Sequence, residues 1–145
     1  MPSTSTSGDA APPHGRLTAS EVGALAGVSG TTIGQWARWG YVRSSQASGE
    51  PRVYSAEDAA EAVIVAELLR RGVSHAGVRD LLAHLAHVGS WPLSHARLAT
   101  TAPGRPPAVA VFEEAQWLVL GPRGWQAIAD GIEVEEMRMR FRRGR

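Results

Sequence analysis

Three hydrogen-bonding side chains on one predicted helix are the first candidates for chemistry in this sequence. Thr31, Gln35 and Arg38 are four and three residues apart, so an α-helix brings them onto one face. Ile33 and Trp36 fall on the opposite, apolar face. A polar helix face of this kind can enter the major groove of duplex DNA, where each base pair offers a distinct set of donors and acceptors. The alternative is a solvated face in an ordinary helical domain.

A second group of candidates lies just after that helix. Two β-prone pieces, 41–43 and 52–54, flank a polar loop that contains a glycine, and this pattern predicts a hairpin. Arg43 and Arg52 would lie on its two arms, where contacts with phosphates fix the orientation of a protein on DNA. Tyr54 has two interpretations, a hydrogen bond to a phosphate or packing beneath the hairpin, and packing is favoured.

Local capping patterns make the polar helix the second of a pair. Thr18 and Glu21 form the T-x-x-E pattern of a capping box ahead of an apolar run. Gly27 suits the end of that first helix. Ser29 is a natural N-cap for the second helix, which Gly40 ends. Two short helices joined by a tight turn are therefore expected before the hairpin.

Two more helices are predicted after the hairpin. Ser55, with acids in the following turn, predicts a helix that stops at Gly72. Ser74 predicts a fourth helix. Its apolar stripe, at the spacing of one helix face, consists of Val78, Leu81, Leu82, Leu85 and Val88. The predicted fold class is mainly α with an α+β tail: a winged helix-turn-helix in the order helix, helix, hairpin wing, helix, helix, and then a small hairpin-plus-helix element.

The tail, residues 89–145, is expected to mediate dimerisation or partner binding. It is predicted to begin with a helix-breaking segment at 89–92, followed by a loop rich in Pro and Gly at 100–107 and a hairpin of strands 108–112 and 116–120. A helix is predicted to begin at Pro122 and to carry Trp125, Ile128, Ala129 and Ile132. The last predicted element is an edge strand at 137–142. The predicted domains are thus a tail at 1–16, a DNA-binding domain at 17–88 and this α+β region.

Composition limits the classes of protein that fit. Cysteine is absent, which excludes disulfides, thiolate metal ligands and a cysteine nucleophile. The net charge is +1, and between residues 16 and 88 seven arginines are balanced by seven acids, which argues mildly against DNA binding. Residues 1–16 lack the pattern of a signal peptide and are expected to be disordered. With no apolar run long enough for a membrane helix, a cytoplasmic protein is expected.

Catalytic and metal-binding residues are not expected. His84 and His87 lie one helical turn apart, but no carboxylate or thiolate stands at a fitting spacing, so surface histidines are favoured over a metal site. Hydrolase, phosphate-loop and zinc-protease motifs are absent, so neither an enzyme activity nor a cofactor is predicted. Trp91, Trp117 and Trp125 leave two alternatives, an effector pocket or packing of the tail onto the last two helices.

Several short motifs occur in the order typical of a known family. They are G-V-S at 27–29, Trp36 in the second helix, R-x-Y-S at 52–55 and R-x-G-V-S at 70–74. With them, residues 17–82 resemble the DNA-binding domain of MerR-type regulators. The resemblance implies that the helix from Ser29 enters the major groove and that Arg52 contacts the DNA backbone. Together with the patterns above, the predicted DNA-contacting residues are Ser29, Thr31, Thr32, Gln35, Arg38, Arg43, Arg52 and Tyr54.

The tail carries a narrower resemblance. W-P-L at 91–93, A-R-L at 96–98 and G-W-Q at 124–126 make it similar to MerR-like antitoxin-type bacterial regulators. This resemblance implies a homodimer that binds its own promoter and a cognate toxin through residues 89–145. The predicted function is a sequence-specific DNA-binding transcriptional regulator. The alternatives are an antitoxin that represses its own operon and an interaction module that does not bind DNA.

Overall fold

The computed structural model describes residues 16–45, 51–128 and 132–137. The helices in these ranges are α1 (Ala19–Ala26), α2 (Gly30–Arg38), α3 (Ala56–Arg70), α4 (His75–His84) and α5 (Pro92–His95). The strands are β1 (Leu98–Thr101), β2 (Val109–Glu113), β3 (Gln116–Gly121), β4 (Gly124–Ala127) and β5 (Val134–Glu136). Two compact units divide the chain, one up to Val63 and one from Ile64. The domain boundaries expected after residues 16 and 88 stay predictions, and the tail predicted before Arg16 lies outside the described residues.

Helix α1 begins and ends as its capping residues predict. The Thr18 Oγ1 accepts a hydrogen bond from the Glu21 N–H at 3.1 Å, and the Glu21 carboxylate accepts one from the Thr18 N–H at 2.8 Å. This reciprocal capping box satisfies two N–H groups that the helix itself leaves without acceptors. At the other end Gly27 adopts the left-handed conformation, with φ 79°, and ends the helix. The predicted first helix is confirmed.

The turn between α1 and α2 depends on a glycine within α1. Gly23 is buried, and a Cβ atom on it would lie 2.4 Å from the backbone oxygen of Val28. That oxygen belongs to the turn, so only a residue without a side chain lets the turn pass this close to α1. The Val28 N–H in turn donates to the Gly23 carbonyl at 2.9 Å. The two helices are thereby held in one fixed arrangement.

The segment between α2 and α3 takes part in two single-residue antiparallel backbone pairs outside the strands of the sheet. Ser45 and Val53 exchange two backbone hydrogen bonds of 2.8 and 2.7 Å, as opposite residues of an antiparallel pair do. Tyr54 pairs in the same way with Leu17, which precedes α1. The base of the predicted hairpin is therefore present, whereas its tip, residues 46–50, lies outside the described residues.

Helices α3 and α4 begin at the predicted caps. Ser55 and Asp58 bond reciprocally through their side chains and backbone N–H groups, at 2.8 and 2.9 Å. Ser74 caps α4 by accepting from the Gly77 N–H at 3.0 Å. The predicted apolar stripe is too long, because α4 ends at His84 and Val88 is exposed. Among the helices of the described ranges, none combines the length and the apolar character needed to cross a membrane.

The strands form one antiparallel sheet in the order β4-β3-β2-β1-β5. The predicted hairpin of β2 and β3 is confirmed, and Glu114 and Ala115, with φ of 51° and 65°, form its two-residue turn. Strand β1 was not predicted. Its last two residues occupy the start of the segment expected to be a loop at 100–107.

The predicted helix from Pro122 is wrong. Residues 121–124 form a turn, and β4 then pairs with β3 in the register Leu120 opposite Trp125. The φ angle of proline suits a turn as well as a first helical turn, and Gly124, at φ 100°, lets the chain reverse. Apart from Met137, the edge strand predicted at 137–142 lies outside the described residues; within them, β5 at Val134–Glu136 forms one edge of the sheet.

Candidate nucleic-acid interface

Helix α2 has one buried face and one exposed face. Ile33 and Trp36 are 0% and 3% exposed, so they fix the apolar side of the helix inside the protein. On the other side Thr31 and Arg38 are exposed and Gln35 is half-buried. These three side chains can reach a ligand from one direction, as the spacing predicts. They offer a hydroxyl, an amide and a guanidinium, which together donate and accept hydrogen bonds.

The first turn of α2 is organised by Ser29 and Thr32. The Ser29 Oγ accepts from the Thr32 N–H at 3.0 Å and lies 3.0 Å from the Thr32 Oγ1, to which it donates. Both hydroxyls therefore have a structural role at the N-cap. The N–H groups of Gly30 and Thr31 have no acceptor within the helix, as at any helix start. They are available to an anion such as a phosphate.

Arginines lie at the base of the hairpin. Arg52 is half-buried and its Nη1 donates to the Ser44 Oγ at 2.9 Å, across the two arms. Arg43, one residue before Ser44, is exposed. The bond to Ser44 limits the directions in which the Arg52 guanidinium can point. Sequence reasoning missed Ser44, since its partnership with Arg52 depends on the register of the hairpin.

Tyr54 does not belong to this surface. It is 1% exposed, and its hydroxyl finds no hydrogen-bond partner among the residues that the structure describes. A side chain this buried cannot reach a phosphate, so packing is the interpretation that fits its position. Burial raises the pKa of the Tyr54 hydroxyl; the charge of Arg52 opposes that rise, the charge of Asp58 adds to it, and the charge of Arg38 opposes it.

The same influences on Tyr54 locate two positive charges. Arg52, at the hairpin base, and Arg38, on the exposed face of α2, both act on the Tyr54 hydroxyl, so both guanidiniums lie within electrostatic range of it. The helix and the hairpin base therefore each contribute a positive charge that acts on Tyr54. Trp39, at the end of α2, is exposed as well, and its ring meets Tyr41 edge-on at 5.6 Å.

The tryptophans of the tail do not form one pocket. Trp125 lies opposite Leu120 in the sheet, and Trp117 is three residues before Leu120, so Trp117 and Trp125 project from opposite faces. Trp125 packs on the His84 ring at 4.6 Å, whereas Trp117 meets Phe112 at 5.2 Å. The alternative of an effector pocket lined by both is therefore wrong.

His84 and His95 bond to other groups of the protein. His84 bonds through Nε2 to both carboxylate oxygens of Glu113, at 2.9 and 3.1 Å. His95 bonds through Nδ1 to the Trp91 carbonyl at 2.8 Å. Within the described ranges, no three histidine, aspartate or glutamate residues gather closely enough to hold a metal ion.

One comparison with known proteins bears on this surface. Residues 17–85, slightly under half of the 145 residues, match the family described as MerR HTH family regulatory protein. Among curated proteins and solved structures, none matches the chain. The match contains α1, the turn, α2, the hairpin base, α3 and α4. Residues 17–85 are therefore similar to the MerR HTH regulatory family, and this similarity suggests a DNA-binding transcriptional regulator.

Proposed function

We propose that this protein is a transcriptional regulator that binds a specific sequence of duplex DNA with α2 in the major groove. The observation that carries the proposal is the two-sidedness of α2, which means that one face of this helix is buried and apolar and the other is exposed and polar. Its apolar side chains are buried, and Thr31, Gln35 and Arg38 are presented outward on a short, capped helix. The major groove is wide enough to admit such a helix with its side chains.

The three outward side chains of α2 are assigned to base recognition. A glutamine such as Gln35 can bond two atoms of adenine, and an arginine such as Arg38 can bond two atoms of guanine. Thr31 adds a hydroxyl at the start of the helix, together with a methyl group that can contact thymine. Ser29 and Thr32 act through the cap, which aims the N–H groups of Gly30 and Thr31 at a phosphate.

The hairpin base is assigned to the DNA backbone. Arg43 and Arg52 supply positive charge beside α2, and contacts of this kind position a protein without reading sequence. Ser44 supports Arg52 by holding its Nη1. Tyr54 is left out of the interface because it is buried. Contacts between arginines and phosphates release counterions from the DNA, so the affinity should fall steeply as the salt concentration rises.

The test uses the full chain and a library of random duplexes, from which bound sequences are selected and their affinities measured by fluorescence anisotropy. We expect one enriched motif. Gln35→Ala should reduce the preference for that motif by about tenfold, which corresponds to one lost bidentate contact of about 1–3 kcal/mol. The matched control is Gln126→Ala, because Gln126 is exposed on β4.

Two results would overturn the proposal. One is a selection that enriches no motif while the protein is folded. The other is equal loss of preference in Gln35→Ala and Gln126→Ala. Arg52→Ala tests the backbone contact separately, since it should weaken binding to all duplexes alike.

The role of the predicted α+β tail is part of the proposal and follows from the sequence alone. We expect residues 89–145 to support a homodimer or to hold a partner such as a cognate toxin. Sedimentation of the full chain, alone and after co-expression with the product of the adjacent gene, distinguishes the two. A monomer in both samples would remove this assignment.

A further inference from the structure

We infer that a cavity between the end of α3 and the loop that joins β1 to β2 binds a small organic carboxylate. The cavity has a volume of about 260 Å³, and Arg71, Thr101, Pro103, Arg105 and Pro107 are among the residues that line it. This volume lies just below the range of about 300–1,000 Å³ that is typical of ligand pockets. The cavity therefore suits a small molecule rather than a nucleotide. The inference does not depend on DNA binding.

Arg71 supplies the donors. Its Nε donates to the Glu67 carboxylate at 2.9 Å, and its Nη1 donates to the Thr100 Oγ1 at 3.1 Å and to the Glu135 carbonyl at 2.8 Å. The two N–H groups of its Nη2 have no acceptor in the described part of the chain. The side chain is 21% exposed. The Nη2 nitrogen is not among the buried side-chain atoms that lack a partner, so its two N–H groups are accessible to an anion in the cavity.

The charges around the cavity favour a single negative charge. Burial alone would raise the pKa of Glu67, but its bonds to Arg70 and Arg71 outweigh burial and hold that pKa below the ordinary value. Glu67 is therefore ionised and shared between two guanidiniums. The charged residues that line the cavity are two arginines, Arg71 and Arg105, and one glutamate, Glu135. The remaining +1 matches a carboxylate better than a phosphate dianion.

The wall of the cavity is held in place without a ligand. The Thr101 Oγ1 donates to the Pro106 carbonyl at 2.9 Å and accepts from the Ala108 N–H at 3.1 Å. Ala102 is bonded through its N–H to the Glu133 carbonyl at 3.0 Å. The rings of Pro103 and Pro107 add apolar surface, which suits the hydrocarbon part of an organic acid.

The test is an NMR titration of the ¹⁵N-labelled full chain with benzoate, benzyl alcohol and inorganic phosphate. Benzoate should give saturable shifts of the Ala102 and Gly104 amides with a Kd on the order of 1 mM. Benzyl alcohol has a similar shape but no charge, and should bind at least about tenfold more weakly. Phosphate should also bind more weakly than benzoate. Equal binding of benzyl alcohol, or tighter binding of phosphate, would overturn the carboxylate assignment.

Variants locate the binding to the cavity. Ala102→Leu fills the space and should weaken benzoate binding by about tenfold or more. Ala86→Leu makes the same change at an exposed position after α4 and should leave the affinity unchanged. Unchanged affinity in a folded Ala102→Leu variant, or equal weakening in both, would overturn the proposal, as would shifts that never saturate. Arg71→Gln, measured where it remains folded, should lose binding as well.

Discussion

The helix pair α1–α2 and the antiparallel sheet use their polar side chains in different ways. In the helix pair, the polar groups of Thr18 and Ser29 bond to residues three positions away and fix helix ends. In the sheet, polar groups bond across long stretches of chain: Arg97 donates twice to Glu136, at 2.9 Å each, over 39 residues. The local caps leave the outer face of α2 available to a ligand, whereas the sheet uses its charged groups to hold itself together.

The same difference extends to the aromatic residues. Arg97 lies over the Phe112 ring, at 4.3 Å from its centroid, and near the Trp117 ring at 5.4 Å. The bonds to Glu136 raise the pKa of Arg97, which burial opposes only in part. Two aromatic rings and a carboxylate thus accompany one guanidinium. In the helix pair, by contrast, Trp39 is exposed beside the proposed interface.

The largest expected effect separates two tryptophans that are three residues apart. Trp36→Ala should destabilise the protein by about 3–5 kcal/mol, because it empties a buried site on α2. Trp39→Ala should cost at most about 1.5 kcal/mol, the worth of an aromatic pair, because Trp39 is 53% exposed. Urea unfolding of both variants measures the difference. Similar losses would contradict the two-sidedness of α2.

Gly23 provides the next effect, and Gly34 is its control. Gly23→Ala should destabilise by about 1–3 kcal/mol, since its Cβ would meet a backbone oxygen that cannot move aside. At Gly34 the nearest atom to a new Cβ is the Arg38 Nη1 at 3.9 Å, so Gly34→Ala should stabilise α2 by up to about 1 kcal/mol. The two substitutions should therefore shift the midpoint temperature of thermal unfolding in opposite directions. A stabilising Gly23→Ala would show that the turn does not depend on close approach.

A smaller, pH-dependent effect tests the charged groups at the end of α3. Because the pKa of Glu67 is lower in the folded protein, its ionised form contributes stability above the ordinary value of 4.5, and this contribution is lost as the pH falls through the folded pKa. Glu67→Gln should therefore lower stability at pH 7 by less than about 1 kcal/mol, since solvent screens the partly exposed group. The two proteins should converge in acid. Glu133→Gln, at an exposed glutamate, is the matched control and should leave the free energy of unfolding at pH 7 unchanged.

The smallest effect concerns Tyr54. Tyr54→Phe removes a buried hydroxyl that has no partner in the described part of the chain, so stability should stay constant or rise by up to about 1 kcal/mol. Affinity for duplex DNA should not change. Anisotropy and urea unfolding together check both statements. A clear loss of affinity for duplex DNA at unchanged stability would show that the Tyr54 hydroxyl takes part in DNA binding.

The sequence could predict the helix pair because its signals are local. Thr18, Gly27 and Ser29 act on groups within one turn of the chain, so a short pattern is enough to place each helix end. The outward set on α2 follows from the same periodicity. The burial of Tyr54 and the bond from Arg52 to Ser44 depend on which residues of the hairpin lie opposite each other, and no short pattern carries that information.

The strands of the sheet are harder to predict from the sequence, because their pairing also depends on residues that are distant in the chain. Strand β1 is short and buried, and its two neighbours, β2 and β5, come later in the chain, so its identity depends on distant partners. The segment from Pro122 fits the start of a helix as well as a turn, and only pairing with β3 decides between them. The β2–β3 hairpin was predictable because its two strands are joined by two residues.

The bridge between Leu17 and Tyr54 closes the helix pair into a loop. These two residues bond through both of their backbone N–H groups, at 2.9 Å each, and everything from α1 to the hairpin base lies between them. This pairing holds the two ends of the loop together, because the ends cannot separate while these two amides stay bonded. The opening free energies measured by hydrogen exchange at these two amides should consequently be equal, and a shared high value would report the opening of the entire loop.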